Sequence, residues 1–384
     1  MGLQGRISLE ENEGRSLARF AEFSCRSRGR SFEEPIYLYQ TDFQLDRERI
    51  IGSRAFAQLE HKSKLMLPSP TGRFRSRLAH AISTASLGRS VARSLRLNED
   101  LVEAVALGRD LGCPPFGKAG CHTLNQLMRD HGGFHPAAQS RRIVDEIEMV
   151  FPQFNGLNLS WETREGIWRL DSAAGQPSLE AQVVECAHDL VSVSLDLTDA
   201  LDAGLVNEEI LGENDLWTEA LAKVNEHYSR MERTRKRRLV LHQLAETLRA
   251  DLALQSADNL DAANPADGEA ARREPRRLIG FSIEVISGMQ NLSDLLEQHL
   301  HHHSEIARAS QRATEVVQEL FAFYRKNTHL IDDRAQLKIK KEGVDRAVCD
   351  FLSGQSDAEM FRAYARHVGT EELLAELMPK PRES

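Results

Sequence analysis

The sequence predicts an all-α protein, for three reasons. Leu, Ala, Glu and Arg dominate the 384 residues, and all four favour helices. Runs of β-branched residues are scarce. Apolar residues recur at helical spacing, most clearly over residues 76–95, which include Leu78, Ile82, Ala85 and Val91.

Turn and capping residues divide this pattern into elements. A first helical pattern begins at Thr41, and residues 67–72, with two prolines and a glycine, predict a turn. Asn98 is a suitable N-cap for the helix that follows it. The adjacent Pro114 and Pro115 should end that helix, because proline supplies no amide and clashes with the preceding turn. Further helices are expected at about 118–130, 137–149, 160–170, 178–203, 207–211, 214–228, 234–255, 283–325, 343–353 and 356–378.

We expect these helices to form a single all-α domain over residues 36–378. Residues 1–35 are polar and should form an irregular N-terminal arm, and residues 379–384 a tail. Residues 255–277 are rich in Ala, Asp, Asn and Pro and carry almost nothing apolar. They predict a mobile insertion rather than a domain boundary.

Composition and charge argue against several classes of protein. The net charge of −9 gives no general attraction to DNA or to an anionic membrane. No segment approaches the ~20 apolar residues that span a bilayer, and the N-terminus lacks the apolar stretch of a signal peptide. The five cysteines show no zinc-ribbon spacing. We therefore expect a cytoplasmic protein with reduced thiols and with neither a membrane nor a nucleic-acid partner.

The most informative segment is AVALGRDLGCPPFGKAG at residues 104–120. It resembles the motif A-H-D-L-G-H-P-P-F-G-H-A-G of the dGTP triphosphohydrolases in the HD-domain superfamily. The resemblance continues in collinear order over about residues 35–360, and the segments that carry it are QLDRERIIGSRAFAQLEHK at 44–62, RLAH at 77–80, LNEDL at 97–101, QSRRIV at 139–144, NLSWE at 158–162 and LEAQVV at 179–184. It implies the helical HD-domain fold of the dGTPase-like type.

The resemblance also implies a dNTP substrate, release of inorganic triphosphate, and a divalent metal held against the phosphates. The family's four metal positions fall on His80, Arg109, Asp110 and His188. His80 and Asp110 match the family pattern. His188 stands where the family has an aspartate, and a histidine can still bind a metal. Arg109 stands where the family has a histidine, and a guanidinium has no lone pair to donate.

The family's catalytic positions differ as well. Cys113, Lys118 and Pro136 stand at three histidine positions, whereas the glycines and prolines around them are kept. Arg77, which the resemblance places on phosphate, is kept, and Lys64 replaces a glutamine. Four cations have two possible roles: Arg77, Lys64, Arg109 and Lys118. They either give the cleft a positive charge suited to an anion, or they are ordinary surface charges.

These changes indicate a dGTPase-like protein with a degraded site, which binds a nucleotide or another anion, or takes part in assembly, without hydrolysis or a cofactor. One alternative is an active dNTP triphosphohydrolase with a site rebuilt from His80, Asp110 and His188 plus Cys113 or His135, holding Mg²⁺, Mn²⁺ or a transition metal. A second alternative is a purely structural oligomer subunit. The family forms ring-like oligomers, so we expect a homo-oligomer or a hetero-oligomer with an active paralogue.

Each of three features has two interpretations. Arg109 either replaces the lost metal as a cation, paired with Asp110 or with a phosphate, or it turns its side chain to solvent. The histidine run at 299–303 could form a metal cluster, but we favour a helix surface or a subunit contact. The basic run at 233–238 could bind nucleic acid, but we favour a solvated helix face or an oligomer contact.

Overall fold

The computed structural model describes residues 5–64, 75–168, 175–228, 230–301 and 303–369. Within those ranges the regular secondary structure is helical, and extended pairing is limited to two isolated bridges, Ser63 with Ser76 and Met149 with Gly156. The all-α prediction is therefore confirmed. None of the helices in the same ranges is long and apolar enough to cross a membrane.

The α-helices are α1 Arg6–Ser16, α2 Asp42–Ile51, α3 Arg54–Gln58, α4 Arg77–Leu95, α5 Glu99–Arg109, α6 Gly117–Leu127, α7 Pro136–Arg142, α8 Trp161–Ile167, α9 Leu179–Asp202, α10 Glu208–Leu211, α11 Asp215–His227, α12 Arg233–Ala263, α13 Gly268–Arg273, α14 Ile283–His301, α15 Ser304–Lys326, α16 Asp333–Glu342, α17 Val344–Ser353 and α18 Asp357–His367. Short 3₁₀ turns lie at Ser24–Arg26, Leu59–His61, Arg129–His131 and Thr328–Leu330, and one π-helical turn at Ile143–Ile147.

The chain divides into two compact units, each made of three separate segments. Unit 1 comprises Met1–Arg49, His80–Leu107 and Leu159–His303. Unit 2 comprises Ile50–Ala79, Gly108–Asn158 and Ser304–Ser384. The sequence carries no linker that marks this division, because neither unit is continuous along the chain. The tail and the domain end expected at residue 378 lie outside the described residues.

Several predicted elements are present as expected. Helix α4 covers the periodic segment that the sequence indicated at residues 76–95. Asn98 caps α5, since its side-chain oxygen accepts from the amides of Asp100 at 3.1 Å and Leu101 at 3.2 Å. The helix expected over 283–325 is instead two helices, α14 and α15, which belong to different units.

A helix also occupies much of the segment expected to be a polar insertion. Helix α12 continues to residue 263, and α13 follows. The buried residues of α12 recur at every fourth position: Val240, Leu244, Leu248, Leu252, Ser256 and Leu260. Within α13, the buried Arg272 pairs with Glu22 at 2.7 Å and with Glu165 at 3.3 Å. Only one residue in four is buried along α12, so the polar average composition of residues 255–277 does not reveal the buried stripe.

The N-terminal arm is partly helical rather than irregular. Helix α1 buries no side chain and is supported locally by an ion pair one turn apart, Arg6 with Glu10 at 2.7 Å. Glu13 fixes its C-terminal end, because its carboxylate accepts from the Ser24 amide at 2.8 Å and the Ser24 hydroxyl at 2.7 Å. An exposed helix of this kind has no apolar period from which the sequence could predict it.

Unit 2 has a core built from α6, α15 and α17. Phe116, Leu124, Leu320 and Val348 are fully buried within it. Phe116 adopts a left-handed backbone conformation, with φ of 64°, immediately before α6 begins. This core therefore fixes the start of α6 and the end of the motif segment at residues 110–120.

Candidate functional site

Side chains from elsewhere in unit 2 hold the motif segment in place. The buried Lys62 ammonium donates to the carbonyls of Cys113 and Ser353, each at 2.8 Å. The Asp357 carboxylate accepts from the amides of Phe116 and Ser63, each at 2.9 Å. Backbone groups that helices leave unpaired are thus satisfied by charged side chains distant in sequence.

The retained glycines of the motif are needed for close backbone contacts. A Cβ at Gly112 would lie 2.3 Å from the carbonyl oxygen of Pro136 and 2.3 Å from the amide of Ser140. The Ser140 hydroxyl accepts from the Gly112 amide at 2.8 Å and donates to the Arg109 carbonyl at 2.6 Å. Gly117 has a φ of +56°, and a Cβ there would lie 2.3 Å from the Lys64 carbonyl oxygen. The surviving residues of the motif therefore determine the path of the backbone.

Asp110 and Arg109 lie at the end of α5 and at the start of this segment. Asp110 is only 4% exposed, and Arg109 is half-buried. Burial and, second, the Arg109 charge hold the pKa of His135 below its ordinary value. His135 is therefore the neutral imidazole at pH 7, and Arg109 supplies a permanent positive charge near it.

Cys113 is a buried thiol rather than a reactive group. Burial raises the pKa of Cys113 to about 12, although the nearby Arg77 charge acts in the opposite direction. Cys121 is half-buried, and burial raises its pKa as well. Both cysteines are free, and neither is poised to form a thiolate. This environment does not favour Cys113 as the extra ligand of a rebuilt metal site.

The remaining predicted positions in unit 2 have different surroundings. Lys118 is the second residue of α6 and is exposed, and Pro136 is the first residue of α7, where proline suits a helix start. Lys64 is buried, with its backbone against Gly117. Arg77 begins α4, and its charge reaches Cys113 and Lys62. The anion-binding role of these residues stays a prediction.

Unit 1 brings two of the predicted metal residues together. His80, on α4, is fully buried, and its ring centroid lies 4.7 Å from that of His188 on α9, with the rings nearly perpendicular at 78°. The Nε2 atom of His80 and the Ser192 hydroxyl share a hydrogen bond of 3.0 Å. The Nδ1 atom of His188 lies 3.6 Å from the exposed Asp189 carboxylate.

Three of the family's four metal positions, His80, Asp110 and His188, carry side chains that can bind a metal, and the fourth does not. Arg109 cannot act as a ligand at the position of the missing histidine. A metal at Nε2 of His80 would have to replace the hydrogen bond to Ser192.

Sequence reasoning missed two residues that build the site. In the sequence, Lys62 is marked only as the last residue of a family-like segment, and no pattern marks Asp357. Each contacts residues about fifty to three hundred positions away in the chain. The only related signal in the sequence is the retained glycines and prolines of the motif, which indicate that the backbone of this segment must follow a fixed path.

The two side-chain runs lie in unit 1, apart from the motif segment in the chain. In the basic run, which opens α12, Arg237 pairs with Asp202 at 2.9 Å and Arg233 with Glu208 at 3.3 Å. Most of this run is exposed, as expected of a solvated helix face. Of the histidine run, His299 lies on α14 and is half-buried, and His303 follows the end of that helix.

Comparison with known proteins agrees with the motifs. Residues 279–366 match the family described as phosphohydrolase-associated domain. The chain is 35% identical to a deoxyguanosinetriphosphate triphosphohydrolase-like protein of Geobacter sulfurreducens, over 92% of this chain and 94% of that protein. It is 35% identical to one from Nitrosomonas europaea, over 91% and 97% of the two chains, and 36% identical to one from Thiobacillus denitrificans, over 93% and 99%.

These relatives match the chain nearly from end to end, and the motifs that suggested the resemblance run in the same order along it. The chain belongs to the family of deoxyguanosinetriphosphate triphosphohydrolase-like proteins.

Proposed function

We propose that the protein binds a dNTP or a related phosphate-containing ligand without hydrolysing it. The observation that carries the proposal is Arg109, a half-buried residue that directly precedes the buried Asp110 in the chain and stands where the family has a metal-binding histidine. A guanidinium has no lone pair to donate, so Arg109 can attract a phosphate but cannot hold a metal.

The other residues of the motif segment support a protein that has lost its proton-transferring side chains but has kept its fold. Cys113 is a protonated, buried thiol, and Pro136 starts a helix, so neither transfers a proton to or from a substrate. Lys62 and Asp357 still hold the motif segment. A scaffold that is kept while its protonatable groups are replaced is suited to binding.

The rival function is metal-dependent hydrolysis of a dNTP to a deoxynucleoside and triphosphate. The observation that favours it is the contact of His80 with His188, because two imidazoles at this separation offer two nitrogen ligands. The family pattern assigns Asp110 as a third ligand.

Hydrolysis is tested directly. The purified protein is incubated with each dNTP and Mn²⁺ or Mg²⁺, beside an active dGTP triphosphohydrolase, and triphosphate release is measured. We expect no release above the protein-free background. Metal-dependent release that disappears in the Asp110→Ala variant would establish the rival function. Elemental analysis of the protein gives a second readout, and a stoichiometric transition metal would also support the rival.

Binding is tested by thermal unfolding with and without each dNTP. A bound ligand raises the melting temperature, and the increase should be smaller in Arg77→Ala and Lys118→Ala. The Lys340→Ala variant removes an exposed lysine elsewhere in unit 2 and should respond like the wild type. If no dNTP changes the melting temperature, the purely structural subunit is the better interpretation.

We further propose that the protein assembles with copies of itself or with an active paralogue. The chain mass is 43.2 kDa, so light scattering after size-exclusion chromatography separates a monomer from any closed oligomer. A mass that stays at one chain, with or without the paralogue, would contradict this part of the proposal.

A further inference from the structure

The segment that follows α1, residues 17–30, is held against the rest of unit 1 by buried glutamates, and we call it the arm segment. Glu180, at the start of α9, accepts from the Glu22 amide at 2.9 Å. Glu162, on α8, accepts from the Arg28 amide at 2.8 Å. The two glutamates are 0% and 2% exposed. Part of the backbone of the arm segment is therefore attached through carboxyl groups that have no access to water.

The two carboxyl oxygens of Glu180 have different surroundings. Oε1 accepts from the amides of Glu22 at 2.9 Å and Asn98 at 3.1 Å. Oε2 is buried and has no hydrogen-bond partner among the residues that the structure describes. A buried charged oxygen without a partner is costly, and the cost falls when the carboxyl group takes up a proton. The geometry therefore favours the neutral acid at Glu180 while the arm segment is docked.

The cations near this contact are paired with other acids. Arg272 pairs with Glu22 at 2.7 Å and with Glu165 at 3.3 Å, and Arg28 pairs with Glu269. The titratable and charged groups around the contact are Glu13 of α1, Glu22 and Arg28 of the arm segment, Asp100 of α5, Glu162 and Glu165 of α8, and Arg272 of α13. Acids outnumber cations here, so a proton is the charge that can compensate Glu180.

The titration of Glu180 agrees with this geometry. Burial and, second, the negative charge of Glu22 raise the pKa of Glu180 from 4.5 to about 7. Burial also raises the pKa of Glu13 and of Glu162. Release of the arm segment would return Glu180 to water and to its ordinary pKa. Between these two pKa values the docked state therefore binds more protons than the released state, and a rise in pH favours release.

We propose that docking of the arm segment on unit 1 is coupled to protonation of Glu180, so that the segment opens more often as the pH rises from mildly acidic to neutral. The neutral acid keeps both amide hydrogen bonds through Oε1 and puts no charge in the interior. Asn98, which caps α5, also donates to the Glu22 carbonyl at 3.0 Å. Opening of the arm segment therefore also removes a partner of the residue that caps α5.

Hydrogen–deuterium exchange of the full chain, measured by mass spectrometry, tests the proposal. The exchange rates of peptides that cover residues 20–28 are divided by the intrinsic chemical rates at each pH, which gives protection factors. Between pH 5 and pH 7 the wild-type protection factor should fall by about tenfold or more, because each pH unit between the two pKa values changes the equilibrium by up to about tenfold per proton. Glu180→Gln keeps an acceptor for both amides but cannot ionise, so its protection factor should fall less than about threefold.

A matched control and a second readout accompany this test. Glu11→Gln changes a glutamate of α1 that is 58% exposed, and it should follow the wild type. If Glu180→Gln does not fold, carbon-13 NMR titration of the glutamate carboxyl groups in the wild type replaces it. At least one carboxyl group should then titrate near neutral pH, and titration of every glutamate below about pH 5 would overturn the proposal.

The exchange data can also contradict the proposal. It fails if the wild-type protection factor does not depend on pH, if Glu180→Gln keeps the wild-type dependence, or if Glu11→Gln loses it. Neither measurement involves a nucleotide or a second chain, so a failure here leaves the proposed function untouched.

Discussion

At the scale of single residues, the replaced histidines of the family differ in what the new side chains do. Cys113 fills buried space as a neutral thiol, and Pro136 begins a helix. Lys118 is exposed. Arg109 alone places a permanent charge close enough to lower the pKa of a neighbouring side chain, His135. Among these replacements, Arg109 therefore has the largest effect on the electrostatics of the site.

Replacing Arg109 with Gln should raise the pKa of His135 toward its ordinary value, because the second cause of the lowered pKa is removed while partial burial remains. NMR titration of the His135 ring protons measures this. Arg129→Gln, which removes an exposed arginine nearby in the chain, is the control. An unchanged His135 pKa in Arg109→Gln would mean that the guanidinium points away from it.

The lowered pKa of His135 also has a consequence for stability. The unfolded chain takes up a proton at the ordinary pKa near 6.5 while the folded chain resists it, so the unfolded state binds more protons. The contribution of His135 to the free energy of unfolding is thus complete above about pH 6.5 and is lost as the pH falls below that value. The Arg109→Gln variant should lose less over the same range.

Lys62 should be the most costly lysine of unit 2 to replace. In Lys62→Met, the carbonyls of Cys113 and Ser353 lose their shared donor in a buried place, at a cost of about 2–5 kcal/mol. Urea unfolding measures the difference, and Lys340→Met, at an exposed lysine, should stay within about 0.5 kcal/mol. Equal values for the two variants would show that the carbonyls find other donors.

At the scale of elements, the sequence predicts those helices whose periodicity or capping is local. Helix α4 and the Asn98 cap of α5 are examples, since each depends on residues within one or two turns. The contacts of Lys62 and Asp357 join distant parts of the chain and leave no local pattern. The residues at the family's chemical positions could therefore be predicted from the resemblance, whereas the side chains that hold the motif segment in place could not.

Helix α7 lies so close to the motif segment that Gly112 has no room for a side chain. In Gly112→Ala, the new Cβ would meet backbone atoms of Pro136 and Ser140, which cannot rotate away. We expect a loss of more than about 2 kcal/mol in the free energy of unfolding. Gly14→Ala, in the exposed part of α1 with nothing within 4 Å, should be neutral or stabilising by about 0.5–1 kcal/mol. A tolerated Gly112→Ala would mean that α7 can shift.

The late part of α12 distinguishes a packed helix from a polar insertion. Leu260 is 4% exposed and Leu254 is 68% exposed, on the same helix. Leu260→Ala should cost about 2–4 kcal/mol, because it removes buried apolar volume, and Leu254→Ala should cost less than about 1 kcal/mol. Thermal or urea unfolding of the pair decides the matter. If both substitutions changed the free energy of unfolding by the same small amount, residues 255–277 would be better interpreted as a mobile insertion.

At the scale of the whole molecule, the net charge of −9 opposes the approach of a nucleotide. Binding of a triphosphate must therefore rely on local cations, which the proposed function takes to be Arg77, Arg109 and Lys118. The overall field and the local cations respond to salt with opposite signs. Screening the overall field favours association, whereas screening the local cations weakens the bound state.

The salt dependence of nucleotide binding therefore tests which charge dominates. We expect the affinity for dGTP to fall by about tenfold or more between 50 and 500 mM NaCl. The nearby cations should attract the phosphates more strongly than the distant net charge repels them, and salt screens this attraction. Deoxyguanosine, which carries no phosphate, should bind with an affinity that changes less than about twofold over the same range. Calorimetric titration of both ligands gives the two slopes. If dGTP binding strengthens with salt, the repulsion of the whole molecule outweighs the local cations. Equal, salt-independent affinities would show that the site recognises the base and not the anion, and anion binding would then have to be abandoned as its function.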